Sequence, residues 1–228
     1  MKIGGLMKTT LLDYPGKVAC TVFTVGCNMK CPFCHNSELI EGSSSLIHEE
    51  EVVSFLKKRV GILDGVCISG GEPTLQRDLK EFIQKIKELG YLVKLDTNGT
   101  NPELLMELVD EKLVDYVAMD IKNSPTKYLT TAGNKNLDFE KIKESIHFLM
   151  NNKVEYEFRT TVVEELHSVD DFKEIGELIC GAKAYYLQQF VDSENVLEGG
   201  FHAYSKDKME DLLACVTPFV PNSTIRGL

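Results

Sequence analysis

Three cysteines stand within eight residues, Cys27-Asn28-Met29-Lys30-Cys31-Pro32-Phe33-Cys34, separated first by three residues and then by two. Gly26 opens this loop and Pro32 stiffens it. The chain has seven cysteines, an odd number that implies no paired framework, so a local thiol cluster points to metal or catalysis rather than disulfides. Thiolates hold iron–sulfur clusters, and a four-iron cube usually takes four protein ligands. Three ligands leave one iron with an open position, and an open position is where substrate binds. Other readings share these residues. Cys31 to Cys34 fits a thioredoxin-like C-x-x-C, Cys31 to His35 fits the C-x-x-C-H of haem attachment, and Cys27, Cys31, Cys34 and His35 could make a zinc site. Thioredoxin chemistry has no use for Cys27. Haem attachment of this kind belongs outside the cytoplasm, and zinc would need very close ligands or a partner from elsewhere.

Four further stretches carry polar groups where apolar runs end. Gly70-Gly71-Glu72-Pro73 follows the run from Asp64 to Ser69; two glycines let backbone approach a ligand closely, and Pro73 fixes the exit into the next helix. Asp96-Thr97-Asn98-Gly99 closes a third run, either as an Asn-Gly turn or as a reactive group at a strand's carboxyl end. Asp120 and Lys122, two apart on an extended segment around Ile121, point the same way, either to reach one site together or to form a surface ion pair. Arg159 lies near the end of a fifth run, and arginine is a natural clamp for a carboxylate.

With Phe33 as the aromatic before the last cysteine, C-x3-C-x-Φ-C resembles the signature of the radical S-adenosylmethionine (radical SAM) superfamily. The fuller string, TLLDYPGKVAC followed by F-x-x-GCN-x-x-CPFCHN, resembles the glycyl-radical activating enzymes, most of all those of anaerobic ribonucleotide reductase. The resemblance implies a [4Fe-4S] cluster on Cys27, Cys31 and Cys34, with the vacant iron chelated by the methionine part of S-adenosylmethionine. It implies that Gly70, Gly71, Glu72 and Pro73 receive the cofactor's amino group, and that Asp96, Thr97 and Asn98 lie near its carboxylate with a monovalent cation near Asp96 and Asp120. Asp120, Ile121, Lys122 and Arg159 would line the cofactor, as would Phe33, His35 and Gln189. Some activating enzymes carry a histidine near the last of these positions; this chain has Gln188-Gln189-Phe190 there, which leaves the adenine side open. Asp13, in the Asp-x-Pro-Gly loop, becomes a candidate contact to the target glycine loop.

Elements must bring these residues together. Val18 to Val25 reads as a buried strand, and further strands are expected at 64–69, 91–95, 115–118, 155–163 and 185–190. Amphipathic helices are expected at 48–60, 77–89, 102–112, 138–150, 169–179 and 205–216, with His48 solvated at a helix start and His147 structural. Glu41 to Ser45 reads as an exposed loop, and 124–136 as a polar connection forming part of a partner surface. The tail from Pro221 would cover the barrel bottom or pack beside the first strand. Cys20, Cys67, Cys180 and Cys215 read as buried small hydrophobes. Six strand–helix alternations demand a parallel sheet and are fewer than a closed barrel needs, so the expected fold is α/β, an open partial (β/α)6 TIM-like barrel of radical SAM type.

The chain has 228 residues, 43% of them hydrophobic, enough for one well-filled core, and one domain over 1–228 is expected. Its net charge of −10 argues against a broad nucleic-acid surface. Met1 to Met7 is too short and glycine-rich to read as a secretory signal, and no apolar run approaches a membrane span, so a cytoplasmic enzyme is expected. The resemblance implies one electron from flavodoxin or ferredoxin, reductive cleavage of S-adenosylmethionine, and hydrogen abstraction from a glycine of a partner enzyme. The alternatives are an activase of pyruvate formate-lyase or a relative, a radical SAM enzyme acting on a small molecule, and a zinc- or cluster-binding protein without turnover.

Overall fold

The computed structural model describes residues 1–41 and 45–228. Most of the expected loop at 41–45 therefore lies outside the described residues. Eight strands form one sheet in chain order: β1 (Ile3–Thr10), β2 (Ala19–Thr24), β3 (Gly65–Gly70), β4 (Leu92–Thr97), β5 (Tyr116–Asp120), β6 (Glu155–Val162), β7 (Tyr185–Gln189) and β8 (Ser223–Arg226). β2 to β7 run parallel, as the six expected alternations require. Two edge strands were not expected. β1 pairs antiparallel with β2, and β8 pairs parallel with β7. The tail thus lies at the far edge from the first strand, where the Arg226 guanidinium grips Glu157 at 2.7 and 2.8 Å and stacks 3.3 Å over the Tyr186 ring. β1 and β8 are the two ends of the order, so the sheet does not close.

The helices are α1 (Ser37–Glu41), α2 (Glu49–Lys57), α3 (Leu79–Glu88), α4 (Pro102–Asp110), α5 (Tyr128–Thr131), α6 (Phe139–Met150), α7 (Val169–Leu178) and α8 (Lys206–Val216). The long ones follow the expected 3.6-residue pattern. In α3, Leu79, Phe82, Ile83 and Ile86 are all fully buried on one face. His48 is exposed and precedes α2, as expected; His147 is exposed on α6 and serves no packing role. Cys20 and Cys67 are buried, but Cys180 is exposed and Cys215 is half-exposed, its thiol donating to the Asp211 carbonyl. Cys180 lies in the turn after α7 and Cys215 at a half-exposed position of α8, so neither is the buried small hydrophobe expected.

The connection at 124–136 holds the short helix α5; Ser124, Tyr128, Thr131 and Ala132 are buried, while Pro125, Thr126, Lys127, Thr130, Lys135 and Asn136 are exposed. The Lys30 amide donates to the Ala132 carbonyl at 2.9 Å, and Asn134 Nδ2 donates to the Asn28 carbonyl at 2.7 Å. Gly133 has φ +66°, and a Cβ there would lie 2.0 Å from the Lys30 carbonyl oxygen. This segment therefore clamps the cysteine loop by backbone contact that only glycine permits.

Asp171, in the first turn of α7, holds the clamp in turn. It closes a capping box with Ser168, accepts from Ser124 Oγ at 2.9 Å and pairs with Lys127 Nζ at 2.6 Å. Burial works to raise its carboxyl pKa, but Lys127 and Ser168 hold it below the ordinary 3.8. A depressed carboxylate contributes stability that is complete above its unfolded value and lost as pH falls through the folded one. Asp171→Asn should therefore cost about 2 kcal/mol at neutral pH, the order for a charged hydrogen-bond partner. Urea titrations between pH 3 and pH 7 should show that loss shrinking toward the acid end; an equal loss at both ends would contradict the assignment.

Candidate cofactor site

Parallel strands send all their carboxyl ends to one rim, and here the rim is polar. Thr24, Ser69, Asp96, Thr97, Asp120 and Arg159 end or approach the ends of β2 to β6. Together with the cysteine loop, all of these but Thr24 line a cleft of about 810 Å³, measured with its mouth. Cys27, Cys31, Phe33, Cys34 and His35 form one wall; Gly70, Gly71 and Glu72 form the next; Asp96, Thr97, Asn98, Asp120, Lys122 and Arg159 form the floor and far side. Four expected residues are not in the lining. Pro73 is buried at the start of a 3-10 turn, and Ile121 is buried beneath the rim, its carbonyl accepting from Thr160 Oγ1 at 2.7 Å. Gln189 Nε2 donates to the Tyr204 carbonyl at 2.8 Å, away from the cleft. Asp13 accepts from Thr21 Oγ1 in the loop before β2, beside the exposed Leu11 and Leu12.

The cysteine loop is held from several sides. Besides the clamp at 132–134, the amides of Leu197 and Glu198 donate to the Cys34 and Pro32 carbonyls at 3.0 and 2.9 Å. His35 Nε2 lies 2.5 Å from the Val191 carbonyl, and its ring packs on Phe190 at 5.3 Å. Asn28 ties the loop to the end of β4: its Nδ2 donates to Thr100 Oγ1 and its Oδ1 accepts from Asn98 Nδ2, each at 2.9 Å. Burial pushes the Cys27 thiol up to about 12 and the Cys31 thiol up to about 11. Such thiols ionise when a metal takes the proton's place.

The two glycines serve backbone packing as well as the cleft. Gly71 N donates to Thr24 O at 2.9 Å and Glu72 N to Gly26 O at 2.8 Å, so the loop after β3 lies flat on the loop after β2. A Cβ at Gly71 would sit 2.2 Å from Gly26 O, and one at Gly70, where φ is +112°, 2.4 Å from Thr24 N. The expected approach to a ligand is therefore first an approach to neighbouring chain. Glu72 is fully buried. Its Oε1 accepts from Thr74 N (3.0 Å), Thr74 Oγ1 (2.6 Å) and Thr97 Oγ1 (2.8 Å), while Oε2, among the described residues, accepts from Asn98 N alone (2.7 Å). Burial raises its carboxyl pKa and these donors pull it back. A carboxylate oxygen has room for more than one donor, so Oε2 keeps capacity for a ligand's ammonium.

The floor is a ladder of charge across β4, β5 and β6. Arg159 NH2 lies 3.2 Å from Asp96 Oδ2, and its Nε lies 2.6 Å from Asp120 Oδ1. Lys122 Nζ lies 2.9 Å from Asp120 Oδ2. Lys94, two residues before Asp96 and equally buried in the barrel interior, pairs with Asp96 Oδ1. Against burial, which works to raise them, Arg159, Lys94 and Lys122 hold both aspartates ionised. Behind the ladder, His167 Nε2 lies 2.9 Å from the Lys122 carbonyl oxygen, and its Nδ1 lies 3.1 Å from the Val163 amide nitrogen and 3.2 Å from the Val163 carbonyl oxygen. Burial lowers its pKa. Lys94, Asn28, Ser69 and His167 were not read from sequence. Lys94 had a signal: in Leu-Val-Lys-Leu-Asp-Thr it shares a face with Asp96, and β4 runs on to Thr97, two residues beyond the expected end at Leu95.

These residues suit a cluster and an amino-acid-bearing cofactor. Three thiols share a cleft with a carboxylate oxygen open to an ammonium and with cations open to a carboxylate. Among the described residues no three His, Cys, Asp or Glu side chains gather tightly enough for a single metal ion. Gly71→Ala should displace the loop after β3 and cost about 2–4 kcal/mol by overpacking against backbone. Thermal unfolding of the variant checks this, and an unchanged midpoint would show that the junction yields freely.

Comparison with known proteins agrees with this geometry. Residues 21–179 match the model of the radical SAM superfamily. A protein of Methanocaldococcus jannaschii named as a glycyl-radical enzyme activating enzyme is 38% identical over 196 residues, 82% of this chain and 79% of that one. A domain of pyruvate-formate lyase-activating enzyme from Bacteroides vulgatus superposes with a TM-score of 0.56 over 72% of this chain and 99% of that one, at 20% identity. Streptococcus suis SuiB bound to S-adenosylmethionine gives 0.69 over 90% of this chain and 49% of that one, at 14% identity. The last two show the fold. No described helix is long and apolar enough to cross a membrane. With the cysteine triplet, the Gly-Gly-Glu loop and the open parallel sheet at one cleft, the chain belongs to the radical SAM superfamily.

Proposed function

We propose that this protein is an activase that cleaves S-adenosylmethionine reductively and installs a glycyl radical on a partner enzyme, anaerobic ribonucleoside-triphosphate reductase. The observation that carries this reading is the convergence of Cys27, Cys31 and Cys34 with Glu72 and the Asp96–Arg159–Asp120–Lys122 ladder on one cleft. Cys27, Cys31 and Cys34 would hold the [4Fe-4S] cluster; Gly70, Gly71 and Glu72 would take the cofactor's ammonium; Arg159 and Lys122 would take its carboxylate. When bound, the cluster and cofactor supply a one-electron cleavage of a carbon–sulfur bond and a radical able to abstract hydrogen. The chain's own part is to orient and to keep water out: Phe33, Met29 and Ile40 give the cleft its apolar surface, and no side chain is required as general acid or base.

Two features support a protein as the substrate. The sheet is open between β1 and β8, and the loop bearing Asp13 presents Leu11 and Leu12 to solvent, Leu12 at 90% exposure. The identity with the Methanocaldococcus protein runs over most of both chains and supports an activase in particular. The ribonucleotide reductase target rests on the Asp-Tyr-Pro-Gly and Cys-Pro-Phe-Cys-His-Asn strings, and flavodoxin or ferredoxin is the electron donor this reading calls for.

Anaerobically reconstituted protein should carry about four irons per chain, the content of one cube. Ser substitution at Cys27, Cys31 or Cys34 should abolish both the iron and the release of 5′-deoxyadenosine; cleavage retained in any of them would count against the site. Incubation with S-adenosylmethionine, dithionite and the candidate reductase should give a glycyl-radical signal by electron paramagnetic resonance. A signal on pyruvate formate-lyase alone would move the target, and cofactor cleavage with no radical on either would point to a small-molecule substrate.

A further inference from the structure

Asp96 and Asp120 form the acidic floor of the cleft, and their oxygens already face cationic side chains. Asp96 Oδ1 pairs with Lys94, and its Oδ2 accepts from Ser69 Oγ at 3.0 Å and lies 3.2 Å from Arg159 NH2. Asp120 Oδ1 lies 2.6 Å from Arg159 Nε and its Oδ2 lies 2.9 Å from Lys122 Nζ. Three cations face two carboxylates, so the ladder carries one surplus positive charge before any ligand arrives.

Lys94 is the unusual member. It is 2% exposed and lies in the middle of a strand whose neighbours are apolar. Besides Asp96, its ammonium has among the described residues only the Cys67 sulfur, at 3.9 Å. A buried ammonium is retained only with a close counter-charge, and Asp96 supplies it from the same face of the same strand. An inorganic cation shared by Asp96 and Asp120 would sit against the ammonium and guanidinium groups already on the same oxygens, and would add a second surplus charge to a largely buried site. The carboxylates thus do not suit the monovalent ion expected near them.

We propose that this chain carries its own cation: Lys94 stands at Asp96 where an alkali metal ion would otherwise sit, and the site receives the carboxylate of its amino-acid-bearing cofactor without a metal ion. The proposal rests on the cofactor reading given above. Lys94 acts as a positioning residue, through Asp96, and touches no reacting atom.

The test compares sodium, potassium and choline chlorides at equal ionic strength, with two readouts. One is the thermal unfolding midpoint of the cofactor-free chain; the other is the dissociation constant of S-adenosylmethionine for the reconstituted protein. The natural chain should give the same values in all three salts. Lys94→Met, similar in length and uncharged, should bind the cofactor about tenfold more weakly in choline, the order for loss of one charged hydrogen bond. Sodium or potassium should restore that binding and raise the variant's unfolding midpoint. A midpoint or an affinity of the natural chain that rises specifically with sodium or potassium overturns the proposal. A variant equal to the natural chain in choline also overturns it, as does one weakened in all three salts without rescue. Should Lys94→Met not fold, the salt comparison on the natural chain decides alone. If the natural chain binds no cofactor in any salt, the activase reading falls, while the cofactor-free midpoints still answer the question about the ion.

Discussion

A carboxylate with no exposure to water anchors this rim. Burying an isolated carboxylate is prohibitive, and burying one that is well supplied with donors is tolerable. Glu72 collects its donors from two loops, Thr74 after β3 and Thr97 and Asn98 at the end of β4. The loop after β3 in turn lies on Gly26 through the Glu72 amide. One side chain and its own backbone thus fix three strand ends against each other. Removing a single donor would leave part of a buried charge unsatisfied, so the arrangement resists partial opening.

The cysteine loop has little secondary structure of its own and is rigid by borrowed contacts. The 132–134 clamp, the amides of 197 and 198, the His35 ring on Val191 and Asn28 on Asn98 all act within eight residues of chain. Three ligands must meet one cluster, and a loop free to move would not keep them on one wall. The clamp is itself held by Asp171, one residue of a helix cap some distance from the cleft. Stability and site geometry are therefore linked along a short path of hydrogen bonds.

The charge ladder shows the same economy in electrostatics. Each carboxylate on the floor faces two cationic groups, and Arg159 bridges both. A low-dielectric setting makes such pairs strong and makes any unpaired member costly. The surplus positive charge is then available to an anionic ligand group, in a cleft whose opposite wall offers a carboxylate oxygen to a cationic one. An amino acid's two charges meet complementary partners at the two sides.

Much of this was legible in the chain itself. The six parallel strands and the long helices follow from apolar periodicity, a local property, and the spacing of Cys27, Cys31 and Cys34 followed by Gly70-Gly71-Glu72 pointed to one kind of site. What sequence could not decide were contacts between distant segments. β1 and β8 are short or glycine-rich edge strands that are specified by pairing more than by pattern. Pro73, Ile121 and Gln189 stood within or beside the right motifs, yet alternation along an extended chain turned Ile121 inward and a bond to Tyr204 drew Gln189 away. Lys94 was hidden because a lysine in a strand reads as a solvent-facing residue until a partner for its charge is known. Residue types and spacings set which chemistry was available; the meeting of Lys94, Asp96, Arg159 and Asp120 was decided by strand register, since only the folded sheet brings Asp96 and Arg159, 63 positions apart, within one hydrogen-bonding distance of each other.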